Sequence, residues 1–179
     1  SLVVDGDDND KVYFTSLIDD VGGDTNEDGV SLPSKSSWRN VSFSQGSRGD
    51  IKNAIFRYGG ATVSPYATFS MITNFGGDVV LDNVHVSHYG HTGISQEEGS
   101  LKISKGLVSD GGNGISIKGK IEMVDTLIQN QSDYGFTFQG DAILKNNTFK
   151  NNWIVGVVDI NSSFQEEGTC IRVNTFASL

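Results

Sequence analysis

Cysteine is almost absent: Cys170 is the only one in 179 residues. An internal disulfide is therefore excluded. A Cys-His nucleophilic pair also lacks support, because Cys170 lies far along the chain from His85, His88 and His91. A lone thiol of this kind is expected to be a buried structural group, and it does not fix the redox compartment. Basic residues are scarce, with 13 Lys and Arg against 22 Asp and Glu, for a net charge of −9. Phosphate backbones and anionic bilayers demand clustered Lys and Arg, so nucleic acid is not an expected partner. No run of 18 apolar residues occurs, which argues against membrane insertion, and no secretory leader is recognisable. Nor does any segment hold an i, i+3, i+4, i+7 apolar stripe over ten residues, so helices are not expected.

What the sequence has instead is a period. Gly93, Gly114, Gly135 and Gly156 stand at equal intervals, followed by Ile94, Ile115, Phe136 and Val157. A fixed spacing of about 21 residues is the mark of a stacked repeat. Each repeat holds three short apolar or alternating runs separated by Gly, Asn, Asp and Ser, which is strand and turn punctuation. The alignment places Leu81, Ile103, Met123 and Leu144 in one inward column, and Val86, Val108, Ile128 and Phe149 in another. One turn of a parallel β-helix fits. The leucine-asparagine frame of leucine-rich repeats is missing.

Asn146-Asn147-Thr148-Phe149-Lys150-Asn151-Asn152, followed by Gly156-Val157, resembles the repeat of the right-handed parallel β-helix superfamily that includes the pectate lyases. The stretch from Val12 to Gly29, with Trp38 and Phe56-Arg57-Tyr58-Gly59-Gly60, is similar to modules of large secreted or surface-anchored bacterial proteins. The resemblance covers residues 11 to 160. It implies an all-β, right-handed parallel β-helix solenoid of about six to seven coils, over a single domain spanning residues 1–179. Ser1 opens abruptly into a polar segment, and the chain is expected to be a fragment of a longer protein. Function does not follow from fold, because this superfamily hosts enzymes and non-enzymes.

An acidic insertion from residue 17 to 37 carries the best chemical motif, Asp24-Thr25-Asn26-Glu27-Asp28-Gly29. It fits the first six positions of the D-x-[DN]-x-[DN]-G calcium loop. Alternate oxygen-bearing side chains can fold toward one point, and glycine permits the sharp turn. The twelfth position is Lys35 where an EF-hand has Glu, so closure must come from elsewhere. Asp19 and Asp20 are the nearest groups, and Asp19, Asp20, Asp24, Asn26 and Asp28 are expected to bind Ca2+. A second acidic run, Asp5-Gly6-Asp7-Asp8-Asn9-Asp10, is expected to be an inter-coil turn.

Catalytic groups are harder to place. His85, His88 and His91 follow a strand-turn path and need not converge on a metal. A polysaccharide lyase needs a base and a cation site on one face, yet Lys102, Lys105, Lys118, Lys120 and Glu122 lie on coils remote from the acidic loop. A glycoside hydrolase needs two facing carboxylates, and nothing selects a pair among Asp82, Asp110 and Asp125. Two outward columns are notable. One reads Ile55, His85, Leu107, Leu127 and Thr148, apolar enough to suggest cover by a loop or neighbouring domain. The other, Ser95, Ser116, Thr137 and Val158, is small and flat. Tyr58, Tyr66, Tyr89, Tyr134 and Trp153 fall at turns, where they are expected to pack coil edges, with stacking on sugar rings as the alternative.

These readings converge on a non-catalytic calcium-binding module, extracellular or at a cell surface. Its role is that of adhesive or spacer, with a glycan or a neighbouring domain of the same chain as partner. The competing expectation is a polysaccharide lyase or glycoside hydrolase with an incomplete active site.

Overall fold

A computed structural model describes residues 1–24, 26–64, 67–158 and 162–172. Its side chains are placed throughout these segments except at 62–64, 67–68, 157–158 and 171–172. The described chain is all-β, and its long ladder is parallel throughout. Strands Arg48–Arg57, Ser70–Ser87, Thr92–Ser104, Asn113–Val124 and Tyr134–Lys145 stack coil on coil, with Leu107–Ser109, Leu127–Gln129 and Thr148–Lys150 forming a narrower third face. The repeat is about 22 residues. The solenoid completes about four turns, not six to seven. The difference arises because the described residues between 15 and 40 and between 59 and 69 stand outside the coil, spending chain without adding a turn.

Three corners divide each coil into three faces, and each is made by residues of positive φ. The first is a glycine column, Gly76, Gly99, Gly119 and Gly140. The second reads Asn53, Asn83, Lys105, Asp125 and Asn146, the third Tyr58, His88, Asp110, Asn130 and Asn151, with φ between 50° and 64°. Asn and Asp visit this left-handed region more cheaply than other side-chain-bearing residues, which explains why they punctuate the repeat. At the first corner only glycine fits: a Cβ on Gly140 would lie 2.2 Å from the Gly119 carbonyl oxygen. The glycines that mark the period serve another purpose. A Cβ on Gly114 would meet the Gly135 carbonyl at 2.3 Å, so Gly114 is required by close approach of neighbouring coils.

The inward columns match the repeat alignment. Leu81 pairs with Ile103, Ile103 with Met123 and Met123 with Leu144, all buried. Val86, Val108, Ile128 and Phe149 form a second buried column. Ile72, Ile94, Ile115 and Phe136 form a third. In the next coil the alignment slips by one. Gly156, not Val157, pairs with Phe136, and Val157, not Val158, continues the column of Ser95, Ser116 and Thr137. The cause is one residue fewer between Tyr134 and Ile154 than the period requires. The side chain of Val157 lies outside those described.

The interior is not wholly apolar. Asn147 Nδ2 donates to the Met123 carbonyl at 2.9 Å, while its Oδ1 accepts from Thr126 N at 3.0 Å. Asn152 repeats the pattern with Ile128 O and Gln131 N. Gln131 donates to Val108 O and accepts from the Tyr89 hydroxyl. All are buried. These amides close the backbone groups left open where strands end at the corners, which would otherwise be costly to bury.

Candidate functional site

Residues 15–40 leave the first coil between Val12–Phe14 and Val41–Phe43. Two anchors tie them to the rod. Trp38 lies against Gly59 and Met71, so closely that a Cβ on Gly59 would overlap its ring, and its Nε1 donates to Arg57 O at 2.8 Å. The second anchor is ionic. Arg57 Nε and Nη2 clasp the two Asp19 oxygens at 2.5 and 2.8 Å, and the Thr15 hydroxyl donates to the same carboxylate. The guanidinium also lies 5.2 Å from the Tyr13 ring and 5.5 Å from that of Tyr58. Paired bidentately and nearly buried, Asp19 is held by the rod.

Asp20 turns the other way. Its carboxylate, with those of Asp24 and Asp28, brings three ligand oxygens within 4.8 Å of one another. The loop builds this locally. Asp24 accepts from Asp28 N at 3.2 Å and Gly29 N at 2.9 Å, bending the chain back on itself. Asn26 Nδ2 donates to Asp28 at 2.8 Å, and Ser31 N to Asp20 Oδ2 at 2.8 Å. Two oxygens are left over: Asp20 Oδ1 and Asn26 Oδ1 are shielded from solvent without a hydrogen-bond partner. Three like charges drawn together, one of them with an oxygen lacking a partner, make a donor set of the kind that a hard divalent cation takes up. The five residues named from sequence thus divide: Asp20, Asp24, Asn26 and Asp28 gather in the loop, while Asp19 faces Arg57.

The other groups disperse. Among the described residues, no other group of three His, Cys, Asp or Glu converges in this way, so the histidines share no metal-binding geometry. His85 sits half-buried in the outward column, and burial and then Lys11 lower its pKa. His88 is exposed at the third corner, its ring 5.5 Å from Tyr58. Lys102 pairs with Glu122 and Lys118 with Glu97 on solvent-facing strands. Asp82 accepts from Ser104 on the second face, Asp110 stands at the third corner and Asp125 at the second. Burial pushes the Asp110 carboxyl up, but hydrogen bonds from Ser109 and Asn130, with the charges of His88 and Lys35, outweigh it and leave it below the usual range.

The apolar outward column exists as a register, Ile55 to His85 to Leu107 to Leu127 to Thr148, each residue half-buried. Of the aromatic residues named from sequence, Tyr89 is fully buried, Tyr58 and Tyr134 are half-buried, and Trp153 is half exposed. Tyr66 lies outside the described residues. Cys170 is half-buried. Sequence reasoning missed Phe69 and Phe75. They sit beside His91 and Glu97 in a shallow groove on the Ser95–Ser116 face. The signal available was Phe75 followed by Gly76-Gly77, an aromatic just before the glycine corner.

No protein-family model, curated protein or solved structure matches this chain.

Proposed function

We propose that this chain is a non-catalytic, calcium-stabilised β-helix module that serves as a rigid spacer or adhesive element of a secreted or cell-surface bacterial protein. The observation that carries the reading is the gathering of Asp20, Asp24 and Asp28, with Asp20 Oδ1 shielded and without a partner. Asp20, Asp24, Asn26 and Asp28 would hold the ion, which would supply the positive charge these carboxylates lack. The net charge of −9 also suits a cation-rich exterior. The pectate-lyase-like superfamily remains the proposed kinship, resting on the Asn-rich corners and the parallel rod.

The enzymatic alternative fares worse on geometry. An eliminating enzyme needs its base and its cation at one substrate carboxylate. Here the carboxylate cluster belongs to the insert, whereas Lys102 and Lys118 lie on later coils and are paired with Glu122 and Glu97. Two assays separate the classes. Calorimetric titration with calcium is expected to show one saturable site, lost in a D24N/D28N variant. Incubation with polygalacturonate and alginate is expected to yield no ultraviolet-absorbing unsaturated product. Calcium-dependent product that disappears in Lys102→Ala or Lys118→Ala would overturn the non-catalytic reading.

A further inference from the structure

We infer that the groove between Phe69 and Phe75 binds a neutral oligosaccharide, an assignment that rests on the adhesive reading above and gives it a surface and a ligand class.

The groove encloses about 310 Å³ on the first face. Phe75 forms one wall and is 51 % exposed, although it lies within the strand Ser70–Ser87. Strand alternation places it there: Ile72 and Asn74 are buried, while Thr73 and Phe75 face the groove. Register breaks follow on both sides of it, between Asn74 and Phe75 and again before Asp78. Phe69 forms a second wall, with the Arg39 guanidinium 5.7 Å from its ring centroid. Between the rings the floor is polar. Thr73, Thr92, Ser95 and Ser116 contribute hydroxyls from three successive strands, and Asn40 Nδ2 reaches Thr73 Oγ1 at 3.4 Å. His91 closes one side, its Nδ1 at 2.9 Å from Thr92 Oγ1.

Flat apolar rings flanking hydroxyls that both donate and accept suit a sugar ring, which has an apolar face and a hydroxylated edge. Charge decides which sugar. No Lys or Arg lines the groove, and its one carboxylate, Glu97, is paired with Lys118 at 2.7 Å. Arg39 is engaged with the outer wall, over the Phe69 ring, and a polyuronate meets a chain of net charge −9, so the groove favours uncharged saccharides. The same count separates binding from hydrolysis. Glycoside cleavage takes two facing carboxylates, and the lining offers one, already committed. The oligosaccharide is therefore held and released intact.

The test is calorimetric titration of the intact chain with cellohexaose, mannohexaose and hexagalacturonate, in calcium and again in excess chelator. Binding of at least one neutral hexasaccharide is expected, and hexagalacturonate is expected to be weaker. Phe75→Ala should weaken the neutral ligand about tenfold, the worth of burying the exposed half of one aromatic ring. Phe75→Tyr, which keeps the ring, should restore binding. Phe75 is exposed, so neither change should alter folding, which circular dichroism checks. The calcium response should persist in both variants, so that loss of the groove and loss of the cation site are read separately. No heat with either neutral hexasaccharide, affinity indifferent to Phe75→Ala, or tighter binding of hexagalacturonate would each overturn the assignment.

Discussion

Side chains inside the rod have no alternative packing. Phe136 is fully buried, its ring centroid 5.2 Å from Phe138 and 6.3 Å from Phe149. Phe136→Ala should cost about 3 to 5 kcal/mol and Ile115→Ala about 2 to 5 kcal/mol, measured by urea unfolding. A loss under about 1 kcal/mol at either would mean that the register is wrong. His85 gives a pH signature. The folded chain disfavours its charged form, so its pKa lies below the usual 6.5. Between the unfolded and the lower folded value the unfolded chain binds more protons, and stability therefore falls as pH drops through 6.5 and below. His85→Gln should flatten that part of the profile when unfolding midpoints are compared across it. The inward residues were legible in sequence because strand alternation exposes them. The placement of Phe75 was not: alternation puts it outward, two residues after Thr73, but an aromatic residue in a strand reads as core.

At the scale of elements, the corners and the insert set the behaviour. Asn147 satisfies a carbonyl and an amide of the neighbouring coil. Asn147→Ala should leave both open and cost about 1 to 3 kcal/mol by chemical denaturation. Lys150→Ala, on an exposed position three residues beyond the buried Asn147, should stay within about 0.5 kcal/mol. Asn147 stood in the repeat motif recognised from sequence, yet its inward role was not legible, since its partners are backbone groups about one coil away. The insert shows the same limit. Spacing alone marked Asp24, Asn26 and Asp28, but Asp19 and Asp20 are adjacent, and only folding separates them. One neutralises Arg57 and the other joins the cluster. Arg57→Ala should therefore free the insert and raise amide exchange across residues 15–24, with little change at Leu127–Gln129. Equal exchange in both regions would contradict this anchoring.

For the whole molecule, the parallel stack supplies rigidity, and each coil depends on its neighbours. The fold class was legible because a repeat multiplies a weak local signal. The number of turns was not, because excursions such as residues 15–40 consume length without stacking. Those excursions hold the chemistry: the acidic loop lies on one, and Phe69 ends another. A divalent cation is proposed to complete the first of them. The ion's role is tested most directly by melting the wild-type chain and the D24N/D28N variant in saturating calcium and in excess chelator. With calcium at about a hundred times its dissociation constant, the wild type should melt roughly 5 to 10 °C higher than in chelator, and the variant should show no difference. Superimposable wild-type curves in the two conditions would contradict the claim.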